Sequence, residues 1–253
     1  MNNMRLLNII VFLMTSFLSL NAQTLHTVMM CNMEDRTLAK ANEGEVKETK
    51  ALMPVLASAL GYNNNMIIHS GAEFTSTMMK QELDNLNVLD NDIVIFYYSS
   101  HGANWSDSEW PHMAFNDRQY GELMLYNLMR QKFSQAKLIL CIAACCNMDA
   151  EGQARQRRKY GNIDPQLVKE LFTGFEGHRS YIASSSIRGQ YSWAWVGGTR
   201  PGDIYGIALR DAIVAACKGE LRADWDYVFE STKLKTLSYS DQKQMPQYQK
   251  NRW

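Results

Sequence analysis

The chain has 253 residues, of which 26 are basic and 26 acidic, so its formal net charge is zero at pH 7. A balanced charge argues against a nucleic-acid partner, whose phosphates require a basic surface. Its five cysteines, Cys31, Cys141, Cys145, Cys146 and Cys217, are an odd number, and a chain of this length does not need a disulfide framework to fold.

Residues 1–22 have the organisation of a secretory signal peptide. Arg5 is followed by an apolar run at residues 6–20, and the small residue Ala22 ends the segment. The run is short for a membrane-spanning helix, although an uncleaved amino-terminal anchor stays open as the alternative. No second long apolar run follows. We therefore predict export to the periplasm or beyond the cell, and a mature chain, residues 23–253, that forms one domain without a membrane span.

The first half of the mature chain alternates strands and helices. The pattern predicts a strand at residues 25–31 followed by a helix at residues 46–60. It then predicts a strand at residues 66–69 followed by a helix at residues 75–86. Residues 32–45 are predicted as a polar loop. Gly61 is a typical C-terminal stop of a helix, and Thr75 is a typical N-cap. Pro54 is expected to kink or shorten the helix around it.

Two continuous apolar runs predict the central strands of the sheet. Residues 92–98 and 137–144 are apolar almost throughout, which is typical of parallel strands covered on both faces. A helix is predicted between them at residues 119–133. The first run leads to Ser99, Ser100, His101 and Gly102, and the second leads to Cys145.

The remaining segments complete an α/β pattern. The polar residues 148–163 contain a strongly basic stretch and form a possible processing loop. After this loop the pattern predicts a helix capped by Asp164, a strand, a helix capped by Asp203, and a tail that begins helical and ends polar. These elements lie at residues 165 onward, 179–183, 204–217 and 225–253. The alternation predicts an α/β fold, a three-layer sandwich with helices on both faces of a mostly parallel sheet.

His101 and Cys145 follow the two central strands. The carboxyl ends of neighbouring parallel strands lie at one edge of a sheet, where sites form, so we expect the two side chains to meet there. A thiolate and an imidazolium so placed catalyse acyl transfer from an amide. The backbone N–H groups of Gly102 and Cys145 are candidates for an oxyanion hole, because glycine leaves room for the substrate oxygen. On spacing alone, a loop histidine and a buried apolar cysteine stay open as the alternative.

Residues 97–102, Tyr-Tyr-Ser-Ser-His-Gly, resemble the apolar strand and Ser-x-His-Gly motif of caspases and metacaspases. Residues 140–145, Leu-Cys-Ile-Ala-Ala-Cys, resemble the strand that ends in their nucleophile, and are similar to the matching strand of legumains. Residues 244–247, Gln-Met-Pro-Gln, resemble an ending of bacterial metacaspase-like domains. The resemblance spans residues 24–249. It implies a caspase-like fold with a six-stranded sheet, and a cysteine endopeptidase with Cys145 as nucleophile and His101 as its partner.

Among Cys141, Cys145 and Cys146, the position in the strand favours Cys145 as the nucleophile. Cys141 lies inside the strand and is expected to be buried and inert. Cys145 ends the strand, where the family has its nucleophile, and Cys146 is the runner-up. The spacing of the three matches no structural zinc pattern, and we expect neither a metal nor another cofactor.

The resemblance also implies substrate-binding residues. Residues 185–193 look like the substrate-binding loop of caspases, within which Ser185, Ser192 and Trp193 are the candidates. Ala143, two residues before the nucleophile, stands where metacaspases have Asp and caspases have Gln. It is therefore expected to border the site for the side chain that precedes the cleaved bond.

Departures from the family bear on specificity. Ala143 and Ala194 stand where the family binds the side chain before the cut, so a preference for Asp is disfavoured. A preference for Arg or Lys requires a carboxylate from elsewhere. The candidates are Asp35, Glu34 and Asp203, although a solvated loop charge is the simpler interpretation of each.

Two functions remain after these comparisons of motifs. The first is a cysteine endopeptidase that acts on proteins or peptides. The second is a catalytically silent caspase-like module used for binding or as a scaffold, for which the altered specificity residues leave room. A thiol oxidoreductase would carry Cys-x-x-Cys, and an esterase of the hydrolase type would carry Gly-x-Ser-x-Gly. Nothing in the pattern indicates an oligomeric state.

Overall fold

Strands and helices alternate along the part of the chain that the computed structural model describes, residues 22–104, 107–145, 147–150, 161–196 and 200–252. The strands are β1 (Thr24–Cys31), β2 (Asn63–His69), β3 (Ile93–Ser99), β4 (Gly102–Ala103), β5 (His112–Ala114), β6 (Gln119–Gly121), β7 (Leu138–Ala144), β8 (Asn147–Ala150), β9 (Arg179–Ser184), β10 (Ser192–Trp195), β11 (Gly202–Asp203) and β12 (Gln247–Arg252). The helices are α1 (Ala39–Leu60), α2 (Ser76–Asn85), α3 (Glu122–Lys132), α4 (Pro165–Thr173), α5 (Ile204–Cys217) and α6 (Trp225–Tyr239), with a short 3-10 helix at Gly71–Glu73.

Six strands form the main sheet in the order β12-β9-β7-β3-β1-β2. The pairs from β9 to β2 are parallel, and β12 runs antiparallel to β9. The two strands predicted to be central, β3 and β7, occupy the middle of the sheet. Two further sheets have three strands each, β4-β5-β6 and β11-β10-β8. The predicted α/β fold with a mostly parallel six-stranded sheet is confirmed.

Alternating side chains along the central strands create two apolar cores. In β3, Ile95 and Tyr97 belong to the core covered by α1, α4, α5 and α6, whereas Phe96 and Tyr98 belong to the core covered by α2 and α3. Successive side chains of a strand point to opposite faces, so a strand apolar throughout can serve both cores. Helices therefore cover both faces of the sheet, as a three-layer sandwich requires.

Four helix boundaries predicted from the sequence are confirmed. Gly61 ends α1 in the left-handed conformation, with φ of 77°, and its N–H donates to carbonyls of the last turn. Thr75, Asp164 and Asp203 cap α2, α4 and α5 by accepting hydrogen bonds from N–H groups of the first turn. Asp203 is thereby fixed at the end of β11, beside β10.

The first helix begins at Ala39, inside the segment predicted as a loop, and runs through Pro54 to Leu60. Its early turns bury Asn42 and Glu45 with polar partners, so the apolar periodicity that marks a helix is weak there. Pro54 lies on the exposed face of the helix, and Lys50, whose carbonyl loses its helical donor to the proline, is exposed as well. The predicted shortening at Pro54 therefore does not occur.

Other element boundaries also differ from the prediction, and β2 begins at Asn63 instead of residue 66. The helix expected from residue 119 begins at Glu122, because Gln119–Gly121 forms β6 and pairs with β5. The polar end of the tail, to which no element was assigned from the sequence, forms β12. This strand lies at the sheet edge and is half exposed and polar, so it carries no apolar alternation to reveal it.

Some predicted features lie outside the described residues. They include most of the signal peptide, the basic stretch at residues 155–159 and the runner-up nucleophile Cys146. Within the described ranges, no helix combines the length and the apolarity needed to cross a membrane.

Candidate active site

β3 and β7 carry the two predicted catalytic residues to one edge of the sheet. The strands are neighbours, and Ser99 at the end of β3 pairs with Ala144 at the end of β7. Cys145 follows Ala144 directly, and His101 lies two residues beyond Ser99. The shared register therefore brings both residues to the carboxyl edge, where sites of parallel sheets form.

Gly102 packs directly against Cys145. A Cβ atom added to Gly102 would lie 2.7 Å from the Cβ and 2.8 Å from the Sγ of Cys145, and 2.8 Å from the carbonyl oxygen of His112. Such distances are too short for any side chain, so only glycine fits here. The side chain of Cys145 is 1 % exposed and belongs to the core that contains Tyr98 and Met113. The residue after His101 thus covers the candidate nucleophile.

His101 is held by contacts to both its ring and its backbone. Its Nε2 lies 3.0 Å from Oδ2 of Asp35 and 3.4 Å from Oγ1 of Thr37. The hydroxyl of Tyr98 donates a hydrogen bond shared between the carbonyl oxygens of His101, at 2.6 Å, and Ala114, at 2.8 Å. The ring is about half exposed, so it can face a bound substrate.

Asp35 is a fixed acceptor for the imidazole. Its Oδ1 accepts hydrogen bonds from the N–H groups of Thr37 and Leu38, at 2.8 and 2.9 Å, and from the hydroxyl of Thr37 at 2.8 Å. Partial burial acts to raise the pKa of Asp35, but these hydrogen bonds and the nearby His101 outweigh it, and the pKa is lowered. The loop after β1 therefore presents a carboxylate to His101 at neutral pH.

Ser185 binds the backbone of Cys145 on both sides of its Cα. The N–H of Cys145 donates to Oγ of Ser185 at 3.2 Å, and Oγ of Ser185 donates to the carbonyl oxygen of Cys145 at 3.1 Å. The N–H of Cys145, one of the two predicted oxyanion donors, therefore already has an acceptor. A substrate oxygen would share this N–H with the hydroxyl of Ser185 or displace that hydroxyl.

A cleft of about 400 Å³ opens beside His101 and Gly102. One wall comes from the segment after His101 and the other from the loop between β9 and β10. Its described lining consists of His101, Gly102, Ala103, Asn104, Glu109, Pro111 and residues 186–191. This lining does not include Cys145, which meets the cleft wall through Gly102. The volume suits a small ligand or one or two side chains of a peptide.

A family model described as the caspase domain, peptidase C14, matches residues 26–252. The chain belongs to the caspase domain family. Among solved structures, this caspase domain is similar to protein GSU0716 from Geobacter sulfurreducens, with a TM-score of 0.53, 11% sequence identity, and coverage of 90% of this chain and 93% of that chain. A likeness at this identity supports the fold alone. No curated protein sequence matches the chain.

Family membership gives this caspase domain a cysteine peptidase-like function in general terms, with proteins as substrates. Within the described part of the chain, the structure brings together Cys145, Gly102, His101 and Asp35. No cluster of three or more His, Cys, Asp or Glu side chains that could hold a metal ion occurs among these described residues.

The other predicted substrate-binding residues do not belong to the described lining of the cleft. Ser185 and Ser192 are buried and hydrogen bonded to each other. Ala143 is buried within β7, paired with strands on both sides. Trp193 is partly buried, and Nζ of Lys243 lies 5.5 Å from its ring centroid.

The remaining candidate carboxylates also lie apart from the described cleft lining. Asp203 is buried, where it caps α5 and accepts a hydrogen bond from the hydroxyl of Tyr97 at 3.2 Å. Burial, and then the charge of Glu45, raise the pKa of Asp203 to about 7. The carboxylate of Glu34 packs against Gly71. Neither is placed to bind a substrate side chain in this cleft.

A buried ion pair between Glu45 of α1 and Arg210 of α5 was not evident from the sequence. Nη2 of Arg210 lies 2.9 Å from Oε1 of Glu45. Glu45 also accepts hydrogen bonds from the N–H of Asp203 at 3.0 Å and from the hydroxyl of Tyr97 at 2.9 Å. Charged residues of helices ordinarily lie on the surface, so no pattern marks such a pair. The pair joins α1 and α5 to β3, the strand that leads to His101.

Proposed function

We propose that this caspase domain is a cysteine endopeptidase with Cys145 as its nucleophile and His101 as its acid–base partner. The observation that carries the proposal is the contact of Gly102 with the Cβ and Sγ of Cys145. Because Gly102 directly follows His101, this contact brings the thiol close to the backbone of both residues, beside the wall of the cleft. Acyl transfer from an amide requires a thiol, a histidine and a backbone N–H donor.

In the proposed reaction, the thiol of Cys145 transfers its proton to His101, and the thiolate attacks the carbonyl carbon of the substrate amide. The carbonyl oxygen becomes negative and accepts a hydrogen bond from the N–H of Gly102, joined by the N–H of Cys145 when Ser185 releases it. The imidazolium gives its proton to the leaving amine as the C–N bond breaks. Water, deprotonated by His101, then hydrolyses the thioester and regenerates the thiol.

Asp35 takes the role of orienting His101 in this proposal. Its contact with Nε2, at 3.0 Å, favours the tautomer in which Nε2 carries the proton, and leaves Nδ1 to exchange protons with the thiol and the amine. The carboxylate also stabilises the imidazolium that forms during the reaction. The contact favours this orienting role over the substrate-binding role predicted for Asp35.

Access to Cys145 requires movement of the segment that follows His101. The side chain is 1 % exposed, and Gly102 lies between its Sγ and the cleft. Substrate binding is proposed to move β4 away from the thiol. The basic stretch at residues 155–159 is proposed as a maturation site, because it follows the nucleophile strand closely in the chain.

A preference for Arg or Lys before the cut is proposed from the charges near the cleft. Ala143 and Ala194 carry no group that binds an acidic side chain, and Glu109 supplies a carboxylate to the lining. Arg188, on the other wall, lies 3.7 Å from Oδ1 of Asp107, which offsets part of its charge.

The signal peptide predicted at residues 1–22 supports action on proteins outside the cytoplasm.

The chain from Gln23, made beside Cys145→Ala, tests the proposal. Both proteins are incubated with a library of peptides that differ in the residue directly before a reporter group, so that each of the amino acids is tested at that position. The assay is done with and without limited trypsin treatment of the protein. Gel electrophoresis detects self-cleavage. Cys217→Ala removes another buried thiol, so it is the matched control and is expected to cleave like the parent. Loss of cleavage in Cys145→Ala alone supports the nucleophile, and a preference for Arg or Lys supports the role of Glu109.

Two results would contradict parts of this proposal. If the parent and Cys217→Ala cleave no peptide before or after trypsin treatment, the endopeptidase proposal is wrong and the silent binding module replaces it. If Cys145→Ala cleaves as fast as the parent, another residue is the nucleophile, and Cys146→Ala is the next variant.

A further inference from the structure

A chain of buried hydrogen bonds links Gln244 to the backbone of Cys145. Nε2 of Gln244 donates to Oγ of Ser192 at 3.0 Å, and Ser192 donates to Oγ of Ser185. Ser185 in turn binds both the N–H and the carbonyl oxygen of Cys145. The side chains of Gln244, Ser192 and Ser185 are fully buried, so water does not compete for these bonds.

The hydrogen bonds of this chain run in one direction. The hydroxyl of Ser185 uses its single proton on the carbonyl of Cys145, so it can only accept from Ser192. Ser192 uses its proton on Ser185, so it can only accept from Gln244. The chain therefore has to start from a hydrogen-bond donor, and the amide N–H2 group of Gln244 supplies it.

Gln244 is also held firmly itself. Its Nε2 donates to the carbonyl oxygen of Ser185 at 2.9 Å, and its Oε1 accepts from the N–H of Trp193 at 2.9 Å. Both protons of the amide and its oxygen are thus bonded, which is the condition under which a buried polar network is rigid. Gln244 therefore joins β10, the end of β9 and the end of β7.

We propose that Gln244 is a positioning residue for the nucleophile, acting through Ser192 and Ser185. The inference rests on the proposed function of Cys145. Bonds to the N–H and the carbonyl of Cys145 fix the direction of its Cα–Cβ bond, and hence the place of Sγ against Gly102. The role also accounts for the first residue of the Gln-Met-Pro-Gln motif, which the dyad leaves without a function.

Kinetics of Gln244→Met tests this inference. Methionine keeps the length of the side chain and removes its hydrogen bonds, so the thiol loses its fixed position while the cleft is unchanged. We expect kcat to fall about ten- to a hundredfold, with KM unchanged. Gln249→Met is the matched control, because Gln249 lies on β12 with its side chain exposed, and it is expected to keep the kcat of the parent.

The pH dependence of kcat in Gln244→Glu distinguishes the positioning role from a purely structural role. A protonated glutamic acid keeps one O–H donor for Ser192 and one acceptor for Trp193, whereas a carboxylate has no donor and reverses the direction of the chain. The kcat of Gln244→Glu, relative to the parent, is therefore expected to fall about tenfold as rising pH ionises this buried acid. If the ratio of the kcat of Gln244→Glu to that of the parent stays constant with pH, the proposed direction of these hydrogen bonds is wrong.

A nuclear magnetic resonance experiment tests the same link without hydrolysis. Cysteine labelled at its amide nitrogen gives few resonances, and that of Cys145 is identified by its loss in Cys145→Ser. We expect Gln244→Met, or Gln244→Glu at high pH if the first variant does not fold, to shift the Cys145 resonance and to leave that of Cys217 in place. Gln249→Met is expected to shift neither.

The two measurements separate failure of this inference from failure of the proposed function. If the parent hydrolyses peptides through Cys145, and Gln244→Met matches its kcat and its Cys145 resonance, the positioning role is wrong and the peptidase stands. If the parent hydrolyses nothing, the proposed function fails, and the Cys145 resonance alone decides whether Gln244 holds that backbone.

Discussion

His101 contacts Asp35 through Nε2, and under the proposed function this contact leaves Nδ1 as the ring nitrogen that takes part in the reaction. The two residues come from different loops, one after β1 and one after β3, and those strands pair in parallel up to Cys31 and Ser99. Strand pairing therefore brings the carboxylate to the imidazole. At the level of the single residue, the orientation of the candidate base depends on a partner that is distant in sequence.

Asp35→Asn is expected to lower kcat by about a hundredfold, with little change in KM. An amide does not stabilise an imidazolium and can favour the other tautomer of the ring. Because the pKa of Asp35 is lowered, the parent keeps this interaction at neutral pH and loses it only as the pH falls through that low value. Asp35→Asn lacks it at every pH.

Steady-state kinetics across pH checks this prediction. The control is Asp84→Asn, which changes an exposed carboxylate on α2. Equal kcat values for Asp35→Asn and Asp84→Asn at neutral pH would contradict the orienting role and return Asp35 to the candidates for substrate binding.

At the scale of the element, charge and burial conflict at the start of α5. Asp203 caps this helix through two N–H groups and is 1 % exposed. The same carboxylate lies close to Glu45, another buried acid. Its pKa of about 7 means that the proton is bound more tightly in the folded chain than in the unfolded chain.

Asp203→Asn is expected to change how stability depends on pH. The stability that protonated Asp203 contributes is fully present below its ordinary pKa of 3.8 and is lost as the pH rises through about 7. Asparagine keeps a cap acceptor and has no proton to lose. The variant should therefore gain free energy of unfolding relative to the parent, by up to about 1.4 kcal/mol per pH unit within that window.

Urea unfolding at several pH values measures this difference. Asp164→Asn, at the exposed N-cap of α4, is the matched control and is expected to follow the parent. If the difference in the free energy of unfolding between Asp203→Asn and the parent stays the same from acid to neutral pH, the proposed titration of Asp203 is wrong.

Elements were predictable from the sequence where apolar burial alone determines them. β3 and β7 are buried on both faces, so their continuous apolar runs marked them clearly. β12 pairs only on one side and is polar, and the early turns of α1 bury Asn42 and Glu45 instead of apolar residues. Both were missed because hydrogen bonds to distant parts of the chain, and not local patterns, stabilise them.

At the scale of the whole molecule, the buried ion pair of Glu45 and Arg210 joins the helix layer to the centre of the sheet. Glu45 and Arg210 lie on different helices, and Tyr97 of β3 donates to Glu45. Both charged side chains are almost wholly buried. Removing one partner leaves the other charge in a low dielectric, which costs far more than the pair contributes as a contact.

Arg210→Met is expected to lower the free energy of unfolding by about 3–5 kcal/mol. The double variant Glu45→Gln/Arg210→Met should recover much of this loss, because no uncompensated charge stays buried and Gln can still bind Tyr97. Lys132→Met is the control, since it removes an exposed ion pair with Asp84 and should change stability by less than about 1 kcal/mol. Urea unfolding distinguishes these outcomes, and equal stability of Arg210→Met and the control would contradict the argument.

The candidate site was predictable only where strands carry it. His101, Gly102 and Cys145 follow predicted strands directly, so strand order was enough to bring them together. The burial of Cys145, the contact of Asp35 with His101 and the hydrogen bonds of Gln244 depend on how the loops and the segment before the last strand pack. Such packing is determined by many distant residues together, which a single sequence does not display.

The position of Gln244 in the chain has a consequence for timing. It follows Ser185 by 59 positions, so a ribosome makes the strand of Cys145 well before the amide that anchors it. At ordinary rates of translation this interval is on the order of ten seconds. During it the thiol is present without its anchor. Under the proposed function, the nascent chain therefore carries its nucleophile before that nucleophile is fixed in position, and the linear order of the residues delays full activity until synthesis has passed Gln244.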